Sequence, residues 1–302
     1  MSTSRPPRLQ PPPPALSPNA RLVLERRYLL KDACRQVVET PDELFWRVAR
    51  AVAAGDAVFD SAANVAATAR RFYQMMRRLE FLPNSPTLMN AGTPLGQLMA
   101  CFVLPIEDSL ESIFGTLRDA ARIQQSGGGA GYSFSRLRPA GDVVMTTKGT
   151  ASGPISFMTI FDRMTEVMKR GSTRRGANMG LLRVDHPDIF EFISCKRDRT
   201  LLTNFNLSVA ITDAFMQAVA QDAAFALVHP ISGLPTRQVR AREIWDLLVA
   251  MAWESGEPGV VYIDRVNRDN PTPELGTFKA TNPCSEQPLL PYEACCLGSI
   301  DL

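Results

Sequence analysis

The sequence predicts an α/β protein with parallel strands, entered through a helical N-terminal region. Three observations carry that expectation. Short apolar runs, of which MACFVL at residues 99–104 is the clearest, read as strands buried on both faces. Between such runs lie stretches with apolar residues at helical spacing, and strand alternating with helix is the pattern of a parallel sheet. Ahead of them, from Ala20 to about Arg78, charges such as Arg21, Glu25, Arg26 and Arg27 interleave with apolar positions in a helical text.

Each element follows in order. Seven of the 23 prolines fall within the first 18 residues, so residues 1–19 are expected to be a disordered or polyproline II tail. Residues 20–80 are expected to be helical, with Pro41-Asp42-Glu43-Leu44 opening a helix capped by Thr40. Phe81–Gly92 (FLPNSPTLMNAG) is expected to be a stiff loop, since Pro83 and Pro86 break helices and central strands alike. Asp108, three residues before Glu111, has capping-box spacing and opens a helix with Leu110, Ile113, Phe114, Leu117 and Ala121 on one face. Gly127-Gly128-Gly129 stops it. Pro154 begins a second clear helix, carrying Phe157, Ile160, Phe161, Met164 and Met168, which Gly171 ends. Further strands are expected at 132–135, 179–184, 206–211 and 260–263, and further helices at 187–194, 213–219 and 241–254.

Composition narrows the function classes. With 45% hydrophobic and 21% charged residues the chain is ordinarily globular, neither fibrous nor wholly disordered. Its 33 basic and 31 acidic side chains leave a net charge of +2, so no global field draws nucleic acid or an anionic membrane. No apolar run approaches the roughly 18 residues that span a bilayer. MSTSRPPRLQPPPP lacks the apolar core of a signal peptide. Cysteines 34, 101, 195, 284, 295 and 296 are too scattered for a disulfide scaffold, so a reducing cytoplasm is expected. Two histidines and no CxxC spacing argue against a metal site.

Three segments could carry chemistry. Gly127–Gly131 follows a helix and precedes a strand, the reverse of the dinucleotide fingerprint, and a flexible turn is the plain reading. Residues 169–180 (KRGSTRRGANMG) set four basic side chains among glycines, which suits phosphates or a solvated loop equally. The run from Thr281 to Ser299 places Asn282, Cys284 and Glu286 at alternate positions. If that segment is extended, an amide, a thiol and a carboxylate share one face, offering a donor, a sulfur centre and a base to one substrate.

The last run, NPCSE followed by EACCLGS, resembles the finger-loop signature of the ribonucleotide reductase large chain. Phe81–Gly92 with Cys101, SGGGAGYSFSRLRPAGD and RRGANMG resemble further segments of that family, collinearly from about residue 20 to 302. The eleven-residue step from Cys284 to Cys295 and the opening RLVLERRYLLKD resemble the adenosylcobalamin-dependent, class II enzymes. A class I large chain served by a di-iron partner subunit is the alternative subclass. The resemblance implies the first, parallel five-stranded half of a ten-stranded α/β barrel over residues 81–302. It also implies reduction of ribonucleotides to deoxyribonucleotides by thiyl-radical chemistry, since hydroxide on an unactivated carbon leaves poorly and a cofactor must make the first radical.

By that resemblance Cys284 becomes the thiyl that takes the 3′-hydrogen, Glu286 takes the 3′-hydroxyl proton, and Asn282 holds the sugar hydroxyls. Cys101 and Cys295 close to a disulfide, which a thioredoxin-type reductant reopens. Cys296 departs from the family pattern, whereas Cys34 and Cys195 match none of its motifs. Ser85, Ala100, Gly129, Pro283 and Ser285 are implied in substrate binding. Asp108, Ser109, Leu110 and Arg138 are implied in binding a deoxynucleoside triphosphate effector, with specificity loops at 148–154 and 171–180. The helix 155–170 is expected at a homodimer interface. The resemblance ends with the finger loop, so the chain is expected to be a fragment or one piece of a split enzyme. It would be inactive alone and completed by a C-terminal chain that brings the second half-barrel. A nucleotide-binding dimerisation module without catalysis is the competing expectation.

Overall fold

The computed structural model describes residues 16–145, 147–169 and 176–302, and they divide into two compact units: Cys101–Cys295, and the rest of the chain. Most of the proline-rich tail, Gly171 and most of the basic loop lie outside the described residues.

The first unit is helical. Helix α1 (Pro18–Arg27) begins inside the stretch expected as tail, capped by Ser17. Helix α2 (Pro41–Ala53) starts at a capping box, Thr40 accepting from the Glu43 amide while Glu43 reaches back to the Thr40 amide. After the single turn α3 (Asp56–Phe59), α4 (Val65–Arg77) packs against α2 around Leu44, Phe45, Val48, Tyr73 and Met76. Phe81–Gly92 is not the loop expected. Phe81–Pro83 forms β1, paired with the C-terminal strand Gly298–Ile300, and Ser85–Asn90 forms helix α5. Pro86 occupies the first turn of α5, where no intrahelical amide is required, and Asn84 caps the turn. By compactness the first unit takes in the described residues up to Ala100 together with Cys296–Leu302.

The second unit is a six-stranded sheet. In chain order it contains β2 (Cys101–Val103), α6 (Leu110–Gln125), β3 (Gly129–Ser133), α7 (Gly153–Met168), β4 (Asn178–Arg183), α8 (Ile189–Ser194) and β5 (Phe205–Ile211). It continues with α9 (Asp213–Ala220), the hairpin β6 (Ala224–Val228) and β7 (Pro235–Arg240), α10 (Ala241–Ser255), β8 (Gly259–Tyr262) and α11 (Ile263–Arg268). It closes with β9 (Ala280–Thr281), β10 (Pro288–Leu289) and β11 (Ala294–Cys295). The order is β11-β2-β3-β4-β5-β8: five parallel strands with β11 antiparallel on one edge, the half-barrel architecture expected.

Alternation along the strands sorts the two faces. Ala130, Tyr132, Leu182, Leu207, Val209 and Ile211 point into the main core and meet the helices. Met179, Leu181, Ala210 and Val261 point to the other face, and Val103 joins Ala280 and Leu289 there. Under the helices Gln124 and Asn178 share a buried hydrogen-bond network with Thr165 and Tyr132, joining α6, α7, β3 and β4.

Candidate active site at the finger hairpin

The floor of the site is the face of the sheet opposite α6 and α7. Parallel register sets Val103, Gly131, Met179 and Asn206 in one row across β2, β3, β4 and β5, with Cys101 beside Gly129. Gly129 and Gly131 are not a flexible turn. They are strand residues stripped of side chains so that the β9–β10 hairpin can lie against them. A Cβ on Gly131 would stand 1.7 Å from the Thr281 carbonyl oxygen, and one on Gly129 would stand 2.8 Å from Pro283 Cγ. Glycine repeating at period two is a signal that sequence reading could have used.

The segment carrying Asn282, Cys284 and Glu286 is not extended. Asn282 donates its amide to Gln287 O at 3.1 Å, Ser285 donates to Asn282 O at 3.0 Å, and Ser285 sits at φ +69°, so residues 282–287 form a tight tip. The tip nonetheless brings amide and carboxylate together: Asn282 Nδ2 donates to Glu286 Oε1 at 2.6 Å, and Asn282 Oδ1 accepts the Gln287 amide at 3.1 Å. Asn282 is fully buried and Cys284 is exposed at the apex. Ser285 packs its hydroxyl against that of Thr281, 3.4 Å away, and the Pro283 carbonyl accepts from Asn206 Nδ2 at 2.8 Å.

Two more thiols lie beside this tip. Cys295 of β11 stands directly opposite Cys101 of β2. Opposed residues of an antiparallel pair have α-carbons roughly 4.5–5.5 Å apart, inside the roughly 7 Å that a disulfide can bridge. Both cysteines are thiols here, and Asn282 Nδ2 lies 3.9 Å from Cys295 Sγ. Burial pushes the Cys101 thiol up to about 12, the neighbouring Cys295 adds to the rise, and a hydrogen bond from Asn282 opposes it. Burial also raises Cys295, with the Glu286 charge adding to the rise. Cys296, the departure from the family pattern, is exposed and accepts from Asn84 Nδ2 at 3.0 Å within the helical unit.

Ser85 opens α5 in the helical unit, its hydroxyl 2.8 Å from that of Tyr28, and Ala100 is buried at the end of that unit. Asp108 does not cap α6. Ser109 does, accepting from the Ser112 amide at 3.1 Å. Asp108 instead clasps Arg138, accepting from its main-chain amide at 3.0 Å and from Nε at 2.8 Å, and this bonding raises the Arg138 guanidinium further above its ordinary value. Leu110 and Phe114 are exposed, and the buried face of α6 is Ile113, Thr116, Ala120 and Gln124. The long apolar stripe of α6 is therefore only partly core. On α7, likewise, Ile155, Met158, Phe161 and Thr165 are buried, and Ile160, Met164 and Met168 are only partly covered. A separate polar cavity of about 410 Å³, bordered by Arg136, Arg183, Asp185, His186 and Lys279, lies at the C-terminal ends of the parallel strands, away from the finger tip. Among the described residues no cluster of His, Cys, Asp and Glu could hold a metal ion, and no helix is long and apolar enough to cross a membrane.

Comparison with known proteins agrees across both units. Residues 99–302 match the family model described as ribonucleotide reductase, barrel domain, and residues 15–96 match that described as ribonucleotide reductase, all-alpha domain. The vitamin B12-dependent ribonucleoside-diphosphate reductase of Mycobacterium tuberculosis is 51% identical over 95% of this chain and 42% of its own length. The protein of the same name from Thermoplasma acidophilum is 44% identical over 95% of this chain and 44% of its own. The ribonucleoside-diphosphate reductase large subunit of Caenorhabditis elegans is 30% identical over 92% and 38%. The chain thus spans less than half the length of these relatives.

Proposed function

The chain belongs to the ribonucleotide reductase family, and from that premise we propose that it supplies the thiol half of a cobalamin-dependent ribonucleotide reductase. The observation that carries the reading is the grouping at the finger tip: Asn282, Glu286 and Cys284 on one turn, with Cys101 and Cys295 in register beside it. Cobalamin enters from the names of the relatives. The feature of this chain that fits such a group is the exposed apex position of Cys284, a sulfur that a radical source can reach. Adenosylcobalamin, when bound, supplies the first radical.

The residues of the chain then divide the work. Cys284 as a thiyl takes the 3′-hydrogen of the ribose. Glu286, its carboxylate held by Asn282, takes the 3′-hydroxyl proton. The 2′-hydroxyl leaves as water, and Cys101 and Cys295 together give two electrons and two protons as they close to a disulfide. Thiols raised by burial stay protonated at neutral pH, so each carries the hydrogen this step consumes. A dithiol reductant of the thioredoxin class resets the pair. The Asp108–Arg138 pair, a carboxylate and a guanidinium able to part around a ribose and a phosphate, supports an effector site for a deoxynucleoside triphosphate. The exposed side chains Leu110, Phe114 and Val167, with the shallow depression formed by Ile160, Met164 and Met168, support a homodimer through α6 and α7.

The test supplies adenosylcobalamin, a ribonucleoside diphosphate or triphosphate and a dithiol to the chain, alone and with the remaining barrel segment of the M. tuberculosis relative as a separate polypeptide. Deoxynucleotide should form only in the complemented mixture and vanish with Cys284→Ser. Complemented turnover that survives Cys284→Ser would defeat the proposal.

A further inference from the structure

The finger tip is shaped from within but placed from outside. Its internal bonds, Asn282 N to Gln287 O, Ser285 N to Asn282 O and Gln287 N to Asn282 Oδ1, set the curvature of the turn without fixing where it sits. Gly129 and Gly131 allow close approach but hold nothing, since they offer no side chain. Asn206 is different. It is the exposed second residue of β5, a strand whose other six residues are all buried, and it lies on the finger-bearing face in the row of Gly131 and Met179. Its Nδ2 donates at 2.8 Å to the carbonyl of Pro283, the peptide that leads directly into Cys284. Asn206 is exposed, so packing does not dictate a side chain of its shape there. Its bond ties β5, the neighbour of the edge strand β8, to the main chain beside the apical sulfur.

We propose that Asn206 is a positioning residue: its side-chain amide, anchored on β5, fixes the height and orientation of the turn that presents Cys284 and, through Asn282, the contact of that turn with the Cys101–Cys295 pair. The proposal deepens the reductase reading and rests on it for its catalytic consequence. The ionisation consequence needs no turnover. Asn282 stands 3.9 Å from Cys295 Sγ and its hydrogen bonding favours the thiolate of both cysteines, so a turn that drifts withdraws a donor from the pair.

The experiment compares wild type with Asn206→Leu, which keeps the branched shape and removes the donor, and with Asn206→Gln, which restores an amide. Asn206→Ser, too short to reach the carbonyl, replaces the leucine variant should that one fail to fold. Two readouts are taken. One is the pH profile of Cys101 and Cys295 alkylation in the chain itself, read by peptide mapping. The other is kcat and KM in the complemented mixture. Loss of the donor should move the alkylation profile to higher pH and lower kcat by about 10- to 100-fold, with the nucleotide KM within about twofold, as expected for a misplaced reacting group. Asn206→Gln should recover most of both. A donorless variant with the wild-type alkylation profile overturns the proposal, as does a glutamine variant that recovers nothing. Absence of turnover in the complemented wild type would instead count against the reductase reading, and the alkylation profile would still decide the role of Asn206.

Discussion

Burial sets the chemistry of Cys101 more than any charge does. The residue is 4% exposed, and its thiol is pushed up to about 12 from an ordinary 9.0. Its alkylation rate should therefore climb about tenfold per pH unit from pH 8 to pH 11, because the thiolate is the nucleophile, while the exposed Cys34 and Cys284 are labelled early. A Cys101 rate that levels off near pH 9 would contradict the buried pairing. The same shift acts on stability. A thiol whose folded value is raised stabilises the protein fully below its unfolded value, and that contribution is lost as pH rises from about 9 toward 12. His186 behaves in the opposite sense. Burial lowers it, and both ring nitrogens are engaged, Nε2 with Leu137 O at 2.9 Å and Nδ1 with the Asp188 amide at 3.0 Å, an arrangement that keeps the ring neutral. Its contribution is present above the unfolded value of 6.5 and is lost as pH falls through and below it. The unfolding temperature of wild type should drop between pH 7.5 and 5 by more than that of His186→Gln. Parallel pH profiles for the two proteins would remove His186 as the cause.

At the scale of elements the finger hairpin depends on what β3 lacks. In Gly131→Ala the new methyl would meet a main-chain carbonyl, which cannot rotate away, so the hairpin must lift. A loss of about 1–3 kcal/mol in denaturant unfolding is expected, together with a lower yield of the Cys101–Cys295 disulfide on mild oxidation. Gly115 is the matched control. It lies inside α6, where an added Cβ would meet nothing within 4 Å, so Gly115→Ala should stabilise by about 0.5–1 kcal/mol as a helix-propensity gain. Equal effects from the two substitutions would show that β3 gives the hairpin no special seat. Much of this level was legible in the chain: the apolar runs gave β2, β4, β5 and β8, and Thr40 and Pro154 marked helix starts within a residue. Hydrophobic period could not reveal the turn at Asn282–Gln287, because the bonds that close it join main-chain groups and a short polar side chain. Nor could it tell Ser109 from Asp108 as a cap, since the Asp108 carboxylate is drawn to Arg138, thirty positions away in the chain. The two proline-flanked elements β1 and α5 were missed because Pro83 ends a strand of three residues and Pro86 falls in the first turn of a helix, the places where proline is tolerated.

At the scale of the molecule, the sheet of the α/β unit ends in β8, which pairs with β5 on one side and, among the described residues, with no strand on the other. Its sequence is Gly-Val-Val-Tyr, and Val260 and Tyr262 are exposed. β-branched and aromatic residues on an unpaired edge make a template for another strand, a liability that proteins usually blunt with charge, proline or cover. On the proposed reading a second half-barrel completes the sheet, and β8 is the edge that it would extend. Amide exchange can read this directly. In the chain alone, the amides of Gly259–Tyr262 that point away from β5 should exchange at least about 100-fold faster than those of β4, which is paired on both sides. When the remaining barrel segment of the M. tuberculosis relative is added, protection should rise at β8 and leave β4 unchanged, and aggregation at rest should fall. Val260→Lys should reduce aggregation of the chain alone and also weaken the complementation, because a charge there opposes any incoming strand. Complementation that restores turnover while β8 exchanges as before would place the joining edge elsewhere on the sheet, with β11, the opposite edge, as the remaining candidate.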